Sequence, residues 1–96
     1  MLVLITYDIS DMENGGAKRL RHVAKICQDY GQRVQFSVFE CEVDSTLWIK
    51  VKSKLIKSIN KDKDSLRFYY LGNNWQRKVE HVGAKKSYDI SGPLII

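Results

Sequence analysis

Apolar and polar positions along the chain follow two periods, and this pattern predicts β-strands separated by two amphipathic helices. Segments of strand length that are continuously apolar or alternate in polarity occupy Leu2–Tyr7, Gln32–Val43 and Ser65–Leu71. The first of them is a continuous run of apolar and β-branched residues, as is typical of a central strand buried on both faces. Apolar residues recur at helical spacing in Ala17–Tyr30 and Thr46–Asn60. The predicted order is therefore strand, helix, strand, helix, strand.

Turn signals separate most of these segments, but one boundary stays open. Asp8–Gly16 is rich in Asp, Ser, Asn and Gly, which are turn residues, and Gly31 is a good C-terminal stop for the first helix. Either Asp44 or Ser45 would cap the second helix. Gln32–Val43 contains no Asn-Gly or Asp-Gly pair, so it is equally compatible with one long strand and with two short ones.

Division of this middle segment predicts an α+β fold of the ferredoxin-like βαββαβ type, with two helices on one face of an antiparallel sheet. A turn at residues 72–74 and a short strand at Val79–Val82 would extend the sheet. The 96 residues show no internal repeat or linker, and we expect one domain. A chain of this length buries only roughly 60–65% of its unfolded surface, so a second copy would add to its stability.

The apolar C-terminal segment is a further argument for self-association. Ile90, Leu94, Ile95 and Ile96 lie close together around Pro93, and an exposed apolar edge of this kind favours aggregation. The segment either packs on its own domain or adds a strand to the sheet of a partner subunit. The short core favours the second alternative. We therefore expect residues 79–96 to pair with the partner's sheet and place Ile90, Leu94 and Ile95 at a dimer interface.

Composition excludes several classes of protein. The chain is 44% hydrophobic, which excludes wholesale disorder, and it has no run of 18 apolar residues, so we expect no membrane span. The N-terminal segment lacks a basic leader, and two distant Cys residues would neither staple a secreted scaffold nor bind zinc. These features predict a cytoplasmic protein with reduced thiols.

The net charge of +5 is unevenly placed along the chain. Residues 18–33 carry five basic side chains against one acidic side chain, and residues 50–66 carry six lysines against two aspartates. The acidic residues cluster at the ends of the predicted strands. A basic helical surface of this kind is compatible with a phosphate polymer and equally with an ordinary solvated surface.

Nucleophilic catalysis and a Cys/His metal site find little support. Cys27 lies on the apolar stripe of the first helix, and Cys41 has no neighbouring His in the sequence. His22 and His81 lack the spacing of metal ligands, and a Gly-rich phosphate loop is absent from the sequence.

Asp8 is the most informative candidate for chemistry because it ends an apolar strand, where a side chain leaves the core for a rim. The carboxylate would either cap the following turn or bind a hard divalent cation through oxygen. A single carboxylate is a poor Mg²⁺ site, but a two-fold dimer that brought Asp8 beside its symmetry mate would supply a pair.

Several stretches of the chain resemble the CRISPR-associated protein two family. They are Tyr7-Asp8 at the end of the first strand, the basic helix Lys18–Lys25 and the segment Tyr30–Glu40, of which Arg33–Glu40 is the most specific. The resemblance extends to Asp64-Ser65-Leu66-Arg67 and to the C-terminal segment. It implies a ferredoxin-like homodimer of prokaryotic CRISPR adaptation, in which the last strand completes the partner's sheet.

The resemblance also implies partners and an activity. The dimer would bridge the subunits of the CRISPR integrase and hold protospacer DNA. Family members are metal-dependent endonucleases that act on single-stranded RNA or on double-stranded DNA. Asp8 matches the family's metal-binding acid, the Arg19–Arg21 region and Arg33 match its functional basic residues, and Ser37–Phe39 lies near its cleft.

These matches lead to a working hypothesis for the site. Two Asp8 carboxylates hold Mg²⁺ at the catalytic centre, and Phe39 packs at the subunit interface. Arg suits bidentate phosphate contacts. The predicted nucleic-acid-binding residues are Lys18, Arg19, Arg21, Arg33 and Ser37.

Two other functions remain compatible with the sequence. The first is a dimeric scaffold that binds DNA without cleaving it, which needs the same basic surface but not Asp8. The second is an RNA-recognition module that stacks bases on Phe68, Tyr69 and Tyr70, although the Gly-aromatic signature of that module is absent.

Overall fold

The N-terminal apolar segment forms the central strand of the sheet in the computed structural model, which describes residues 1–72 and 78–84. Strand β1 (Leu2–Asp8) pairs antiparallel with β3 (Val38–Glu42) on one side and with β4 (Ser65–Leu71) on the other. Strand β2 (Gln32–Gln35) lies outside β3, and β5 (Lys78–Gly83) lies outside β4. The described residues thus form a sheet in the order β2-β3-β1-β4-β5.

Two helices cover one face of this sheet. Helix α1 (Ala17–Tyr30) connects β1 to β2, and helix α2 (Ser45–Ser58) connects β3 to β4. The result is a ferredoxin-like βαββαβ arrangement with one additional strand, which confirms the predicted fold class. Neither helix in the described part of the chain has the length and apolar content needed to cross a membrane.

The core lies between the helices and the face of the sheet that they cover. Alternate residues of β1, β3 and β4 point into it, as the period of a strand requires. They meet the apolar stripes of the two helices, and the fully buried members include Val3, Ile5, Val23, Phe39, Val51, Leu55, Leu66 and Phe68. Trp48 on α2 packs edge-on against the Phe68 ring, with 5.0 Å between the ring centres.

The opposite face of the sheet carries no helix in the described chain, and we call it the open face. Five apolar side chains on this face are cross-strand neighbours that are only partly buried and do not belong to the core cluster. They are Leu2, Leu4, Tyr69, Leu71 and Val79. The apolar and β-branched run of β1 predicts burial on both faces, but among the described residues the core cluster covers only one of them.

The middle segment forms two strands that are joined by a tight turn at Phe36 and Ser37. Asn-Gly and Asp-Gly pairs mark hairpin turns that need positive φ angles. In the described chain the only non-glycine residue with a positive φ is Asp11, so this turn uses negative φ throughout. A register shift between Arg33 and Gln35 accommodates the turn.

The helix ends agree closely with the turn signals. Asp44 caps α2, because its carboxylate accepts a hydrogen bond of 2.7 Å from the Leu47 N–H. Helix α1 follows a wide helical turn at Met12–Gly16, and a Cβ on Gly16 would overlap the backbone oxygen of Ser10. The close approach of the two backbones therefore requires glycine at this position.

Strand β5 includes the short strand predicted at Val79–Val82. Its residues pair with β4 of the same chain, in a register that places Val79 opposite Tyr69 and Gly83 opposite Ser65. Residues 79–83 thus extend the sheet of their own chain, and pairing of the C-terminal segment with a partner's sheet stays a prediction. The interface residues predicted at Ile90, Leu94 and Ile95 lie outside the described residues.

Candidate metal and nucleic-acid site at the Asp8 end of the sheet

Several elements meet where β1 ends, and we call this region the Asp8 end. Asp8 lies opposite Ser65 at the start of β4, and the Tyr7 N–H donates to the Ser37 carbonyl in the β2–β3 turn at 3.2 Å. The N-terminal turn of α1 and the last residue of β5, Gly83, lie at the same end. The fold thus gathers most of the predicted site residues at one end of the sheet.

Asp8 itself is exposed and follows Leu2, Leu4 and Thr6 in the series that faces the open side of the sheet. Its carboxylate offers the hard oxygen ligands that Mg²⁺ prefers. The described residues contain no group of three or more His, Cys, Asp or Glu side chains that would hold a metal ion within one chain. A metal site that includes Asp8 would therefore need further ligands from outside the described residues of one chain.

Asp64 is a buried carboxylate that was not among the predicted site residues. It is fully buried and accepts four hydrogen bonds. Arg19 donates from Nε to Oδ2 at 2.7 Å and from Nη2 to Oδ1 at 3.3 Å. The backbone N–H groups of Ser10 and Asn60 donate at 3.0 and 2.8 Å. Burial by itself opposes ionisation, but the Arg19 guanidinium and the two N–H donors outweigh it and lower the pKa of Asp64.

The Asp64 cluster fixes the loop that follows Asp8. Ser10 is held twice, since its N–H donates to the Asp64 carboxylate and its hydroxyl donates to the Lys63 carbonyl at 2.7 Å. Lys63 reaches back to Asp11 with a 2.6 Å ion pair. On the other side, the Asp64 carbonyl accepts a hydrogen bond from Ala84 at 2.9 Å, at the end of β5. Asp64 therefore connects the ends of β1 and β5 to the start of β4.

The structure corrects the prediction for Arg19. Its guanidinium is committed to the Asp64 carboxylate and to the Ser10 carbonyl, to which Nη2 donates at 3.1 Å. Its side chain is only 19% exposed. The geometry gives Arg19 a structural role in the loop, whereas the resemblance implied a contact with a flanking phosphate.

The structure also corrects the prediction for Phe39. Its side chain is fully buried in the core of its own chain, stacked on the Tyr7 ring at 6.1 Å between ring centres. The Arg33 guanidinium lies over the Phe39 ring, at 5.0 Å from the ring centre. Phe39 has no surface left to offer a partner subunit, and its contact with Arg33 lies on the helix-covered side of the sheet, opposite the face to which Asp8 belongs.

Tyr7 connects the core to the β2–β3 turn. Burial and the neighbouring Cys27 raise the pKa of the Tyr7 phenol, against the opposing influence of Arg33 and Ser37. The phenol is therefore protonated at neutral pH, and it donates a 3.4 Å hydrogen bond to the Phe36 carbonyl. Together with the backbone bond to Ser37, this contact fixes the turn beside Asp8.

The remaining basic residues predicted at the site are exposed. Lys18 and Arg21 lie in the first half of α1, and Arg33 lies on β2. Further along α1, Lys25 is paired with Asp29 at 2.7 Å, so part of its charge is neutralised. Three cations thus remain as candidates for phosphate contacts at the Asp8 end.

A salt titration tests these cations. We expect Arg21→Ala and Arg33→Ala each to weaken binding of a DNA duplex and to reduce the log–log salt slope by about 0.9, the value for one phosphate contact. Lys25→Ala is the matched control, because the same helix carries it and Asp29 already pairs with it. If both arginine variants keep the wild-type affinity and slope, the phosphates contact another surface.

The two cysteines have no nucleophilic character. Both are buried, and burial raises the pKa of the Cys27 thiol to about 12. Cys41 donates its Sγ–H to the Tyr30 carbonyl at 3.1 Å, and burial raises the pKa of its thiol as well. Neutral thiols are poor nucleophiles, so these residues serve packing, as the pattern of the sequence predicted for Cys27.

The structure excludes the RNA-recognition module that stacks bases on β4. Phe68 is fully buried beneath Trp48. Tyr70 lies on the same face and donates its hydroxyl to Glu80 at 2.7 Å while accepting from the Trp48 indole at 3.1 Å. Tyr69 points to the open face, so these three rings do not form one exposed platform.

Sequence comparison relates the whole chain to one group of proteins. The family model described as "CRISPR associated protein Cas2" matches residues 1–79. A protein of Nitratidesulfovibrio vulgaris named "CRISPR-associated endoribonuclease Cas2" is 64% identical over 96 residues, which cover 100% of this chain and 94% of that protein. A "CRISPR-associated endonuclease Cas2" of Halalkalibacterium halodurans is 62% identical over 95 residues, with 99% of each chain covered.

Solved structures that resemble this fold include a member of the same group of proteins. The crystal structure of Streptococcus pyogenes Cas2 at pH 6.5 superposes with a TM-score of 0.70 and 55% sequence identity, covering 78% of this chain and 90% of that one. A hypothetical protein from Thermus thermophilus superposes with a TM-score of 0.65 at 32% identity, with 75% and 82% covered.

Proposed function

The chain belongs to the CRISPR-associated protein Cas2 family, and from that premise we propose that it is an endonuclease of CRISPR adaptation that works as a homodimer. It would hydrolyse phosphodiester bonds of RNA or DNA with Mg²⁺ bound by Asp8. Relatives that are named endoribonuclease and endonuclease support the reaction.

The position of Asp8 on the open face carries this proposal. Asp8 belongs to the same side-chain series as Leu2 and Leu4, which form part of the uncovered apolar surface. A second copy that packed on this surface would cover it and bring the two Asp8 residues toward a common axis. Dimerisation would thereby place a second Asp8 carboxylate beside the first, whereas the described residues of one chain contain no group of three or more potential metal ligands.

Different residues of the chain would bind the metal ion, bind the phosphates and position the loop at such a site. The two Asp8 carboxylates would hold Mg²⁺, which when bound activates water and neutralises charge on the scissile phosphate. Arg21, Arg33 and Lys18 would neutralise the flanking phosphates, and the Arg33 guanidinium lies over the Phe39 ring. The Asp64 cluster keeps the loop after Asp8 in place through Ser10.

Partners follow from the same proposal. We propose that the dimer bridges subunits of the CRISPR integrase and holds protospacer DNA on its basic surface. Each protomer carries a net charge of +5, and a surface of this sign attracts the phosphate backbone irrespective of base sequence. A scaffold that binds DNA without cleaving it is the second candidate, because it would use the same dimer and the same cations.

Substitution of Asp8 decides between these two candidates. We expect Asp8→Asn to lower the rate of cleavage by about 100-fold or more, because a catalytic metal ion contributes several kcal/mol to the barrier. The assay follows cleavage of labelled RNA and duplex DNA with Mg²⁺, and again after chelation with EDTA. Binding of the uncleaved substrate should persist in the variant.

The control is Asp62→Asn, the same chemical change at an exposed aspartate of the turn before β4. It should cleave at the wild-type rate. Wild-type cleavage by Asp8→Asn in a preparation free of contaminating nuclease would remove Asp8 from the mechanism. Absence of cleavage by the wild type itself, with DNA binding intact, would favour the scaffold.

A further inference from the structure

The most exposed large apolar side chain of the described chain lies at the Asp8 end. Phe36 is 91% exposed at the β2–β3 turn, although a Phe ring is among the side chains that gain most from burial. Its backbone is fixed, because the Phe36 carbonyl accepts from the Tyr7 phenol and the next carbonyl accepts from the Tyr7 N–H. A rigid turn thus presents the ring to solvent.

The polar residues around this ring suit a polynucleotide. All four residues of β2 are exposed, among them Gln32, Arg33 and Gln35, and the segment 32–37 contains no acidic residue. Arg33 supplies a cation for phosphate, and the amides match the hydrogen-bonding edges of bases. Aromatic rings beside such cations are the usual platforms on which unpaired bases stack.

We propose that Phe36 is a base-stacking residue, whose ring receives one unpaired nucleobase of the polynucleotide that Arg33 contacts through phosphate. The inference rests on the proposed function and adds a specificity to it. A base that is paired within a duplex cannot offer its face to the ring, so Phe36 favours single-stranded or locally unpaired substrate next to the Asp8 site.

Binding without cleavage isolates this contact. The affinity of a single-stranded RNA oligonucleotide is measured in EDTA by fluorescence anisotropy, so that the outcome does not depend on the metal or on Asp8. We expect Phe36→Ala to weaken binding by about 5- to 150-fold, the range for loss of one stacked base. Phe36→Trp should retain the wild-type affinity because it keeps an aromatic face.

The matched control is Val34→Ala, which removes the other exposed apolar side chain of the hairpin. Val34 is 54% exposed, and its loss should leave RNA affinity unchanged. A series of oligonucleotides with one abasic position each completes the test. Removal of the stacked base should weaken binding to the wild type but not to Phe36→Ala.

Specific outcomes would overturn the inference. Equal affinities of Phe36→Ala and the wild type for the intact oligonucleotide would do so, as would equal responses of the two proteins to every abasic position. Loss of the dimer in Phe36→Ala, measured by light scattering, would assign the ring to a subunit contact. Failure of the nuclease proposal has a separate signature, since it would leave RNA binding and its Phe36 dependence intact.

Discussion

Replacement of Asp64 by alanine is expected to lower the free energy of unfolding by about 3–5 kcal/mol, the range for breaking a buried ion pair from one side. The substitution would leave the Arg19 guanidinium, which is only 19% exposed, without its carboxylate. It would also deprive the N–H groups of Ser10 and Asn60 of their acceptor. A domain of this size has a total stability of about 5–15 kcal/mol, so chemical denaturation should show the loss clearly.

A comparison of variants distinguishes the contribution of the buried Arg19–Asp64 pair from the effect of removing any charged side chain. Lys25→Ala breaks the exposed pair with Asp29 and should change stability by less than about 1 kcal/mol. Arg19→Leu combined with Asp64→Leu should lose less than the two single substitutions together, because neither partner then remains buried alone. If Asp64→Ala lowers the free energy of unfolding by no more than Lys25→Ala does, the Arg19–Asp64 pair does not stabilise the fold as a buried ion pair.

The lowered pKa of Asp64 also predicts how the cluster responds to acid. Its folded pKa lies below the unfolded value of about 3.9, so the ionised pair stabilises the fold at every pH above that value. The contribution disappears as the pH falls through the lower, folded pKa. Asp64→Asn, which does not titrate, should therefore lose less stability than the wild type as the pH falls below about 4.

Local patterns predicted the elements of this fold well, because periodicity and turn residues act within one segment. Helix Ala17–Tyr30 and strand Ser65–Leu71 have the predicted bounds. The sequence did not decide whether Gln32–Val43 forms one strand or two. The turn at Phe36 and Ser37 has negative φ angles, so it does not require the Asn-Gly or Asp-Gly pair that would reveal it. The β-branched run of β1 correctly predicted a central strand.

The candidate site was harder to predict, because its chemistry depends on residues that are distant in sequence. In the sequence, Arg19 lies in a run of basic residues and has the pattern of a phosphate ligand. Its ion-pair partner Asp64 lies 45 positions further along the chain, so only the folded structure brings the two together. Asp64 itself follows three alternating Lys and Asp residues and has the pattern of a solvated turn. For Asp8, by contrast, the end of an apolar strand is a local signal, and the structure places it at a rim as expected.

Introduction of a carboxylate at Leu4 is expected to convert the proposed dimer into a monomer and to abolish cleavage. Leu4 lies on the open face beside Tyr69, two residues along the same series from Thr6 and four from Asp8. In a two-fold interface, Leu4→Glu would place two unpaired carboxylates within one contact. Like charges and unpaired buried charges disfavour binding by several kcal/mol, so we expect the dimer dissociation constant to rise by about 1,000-fold or more.

Leu4→Glu is expected to abolish cleavage because it separates the two Asp8 residues, and not because it changes the chemistry of Asp8. A monomeric Leu4→Glu protein would retain Asp8, Arg21 and Arg33 but would no longer hold two Asp8 carboxylates together. Light scattering and sedimentation should report a monomer at concentrations where the wild type is dimeric, and cleavage should fall together with the dimer fraction. Circular dichroism would verify that the variant is folded.

Ile49→Glu provides the matched control, because it makes the same kind of change on the outer surface of α2. Ile49 is 69% exposed and lies away from the open face, so this variant should remain dimeric and active. A dimeric Leu4→Glu protein would show that another surface joins the subunits. A monomer that cleaves at the wild-type rate would show that one Asp8 suffices, and the shared metal site would then have to be abandoned.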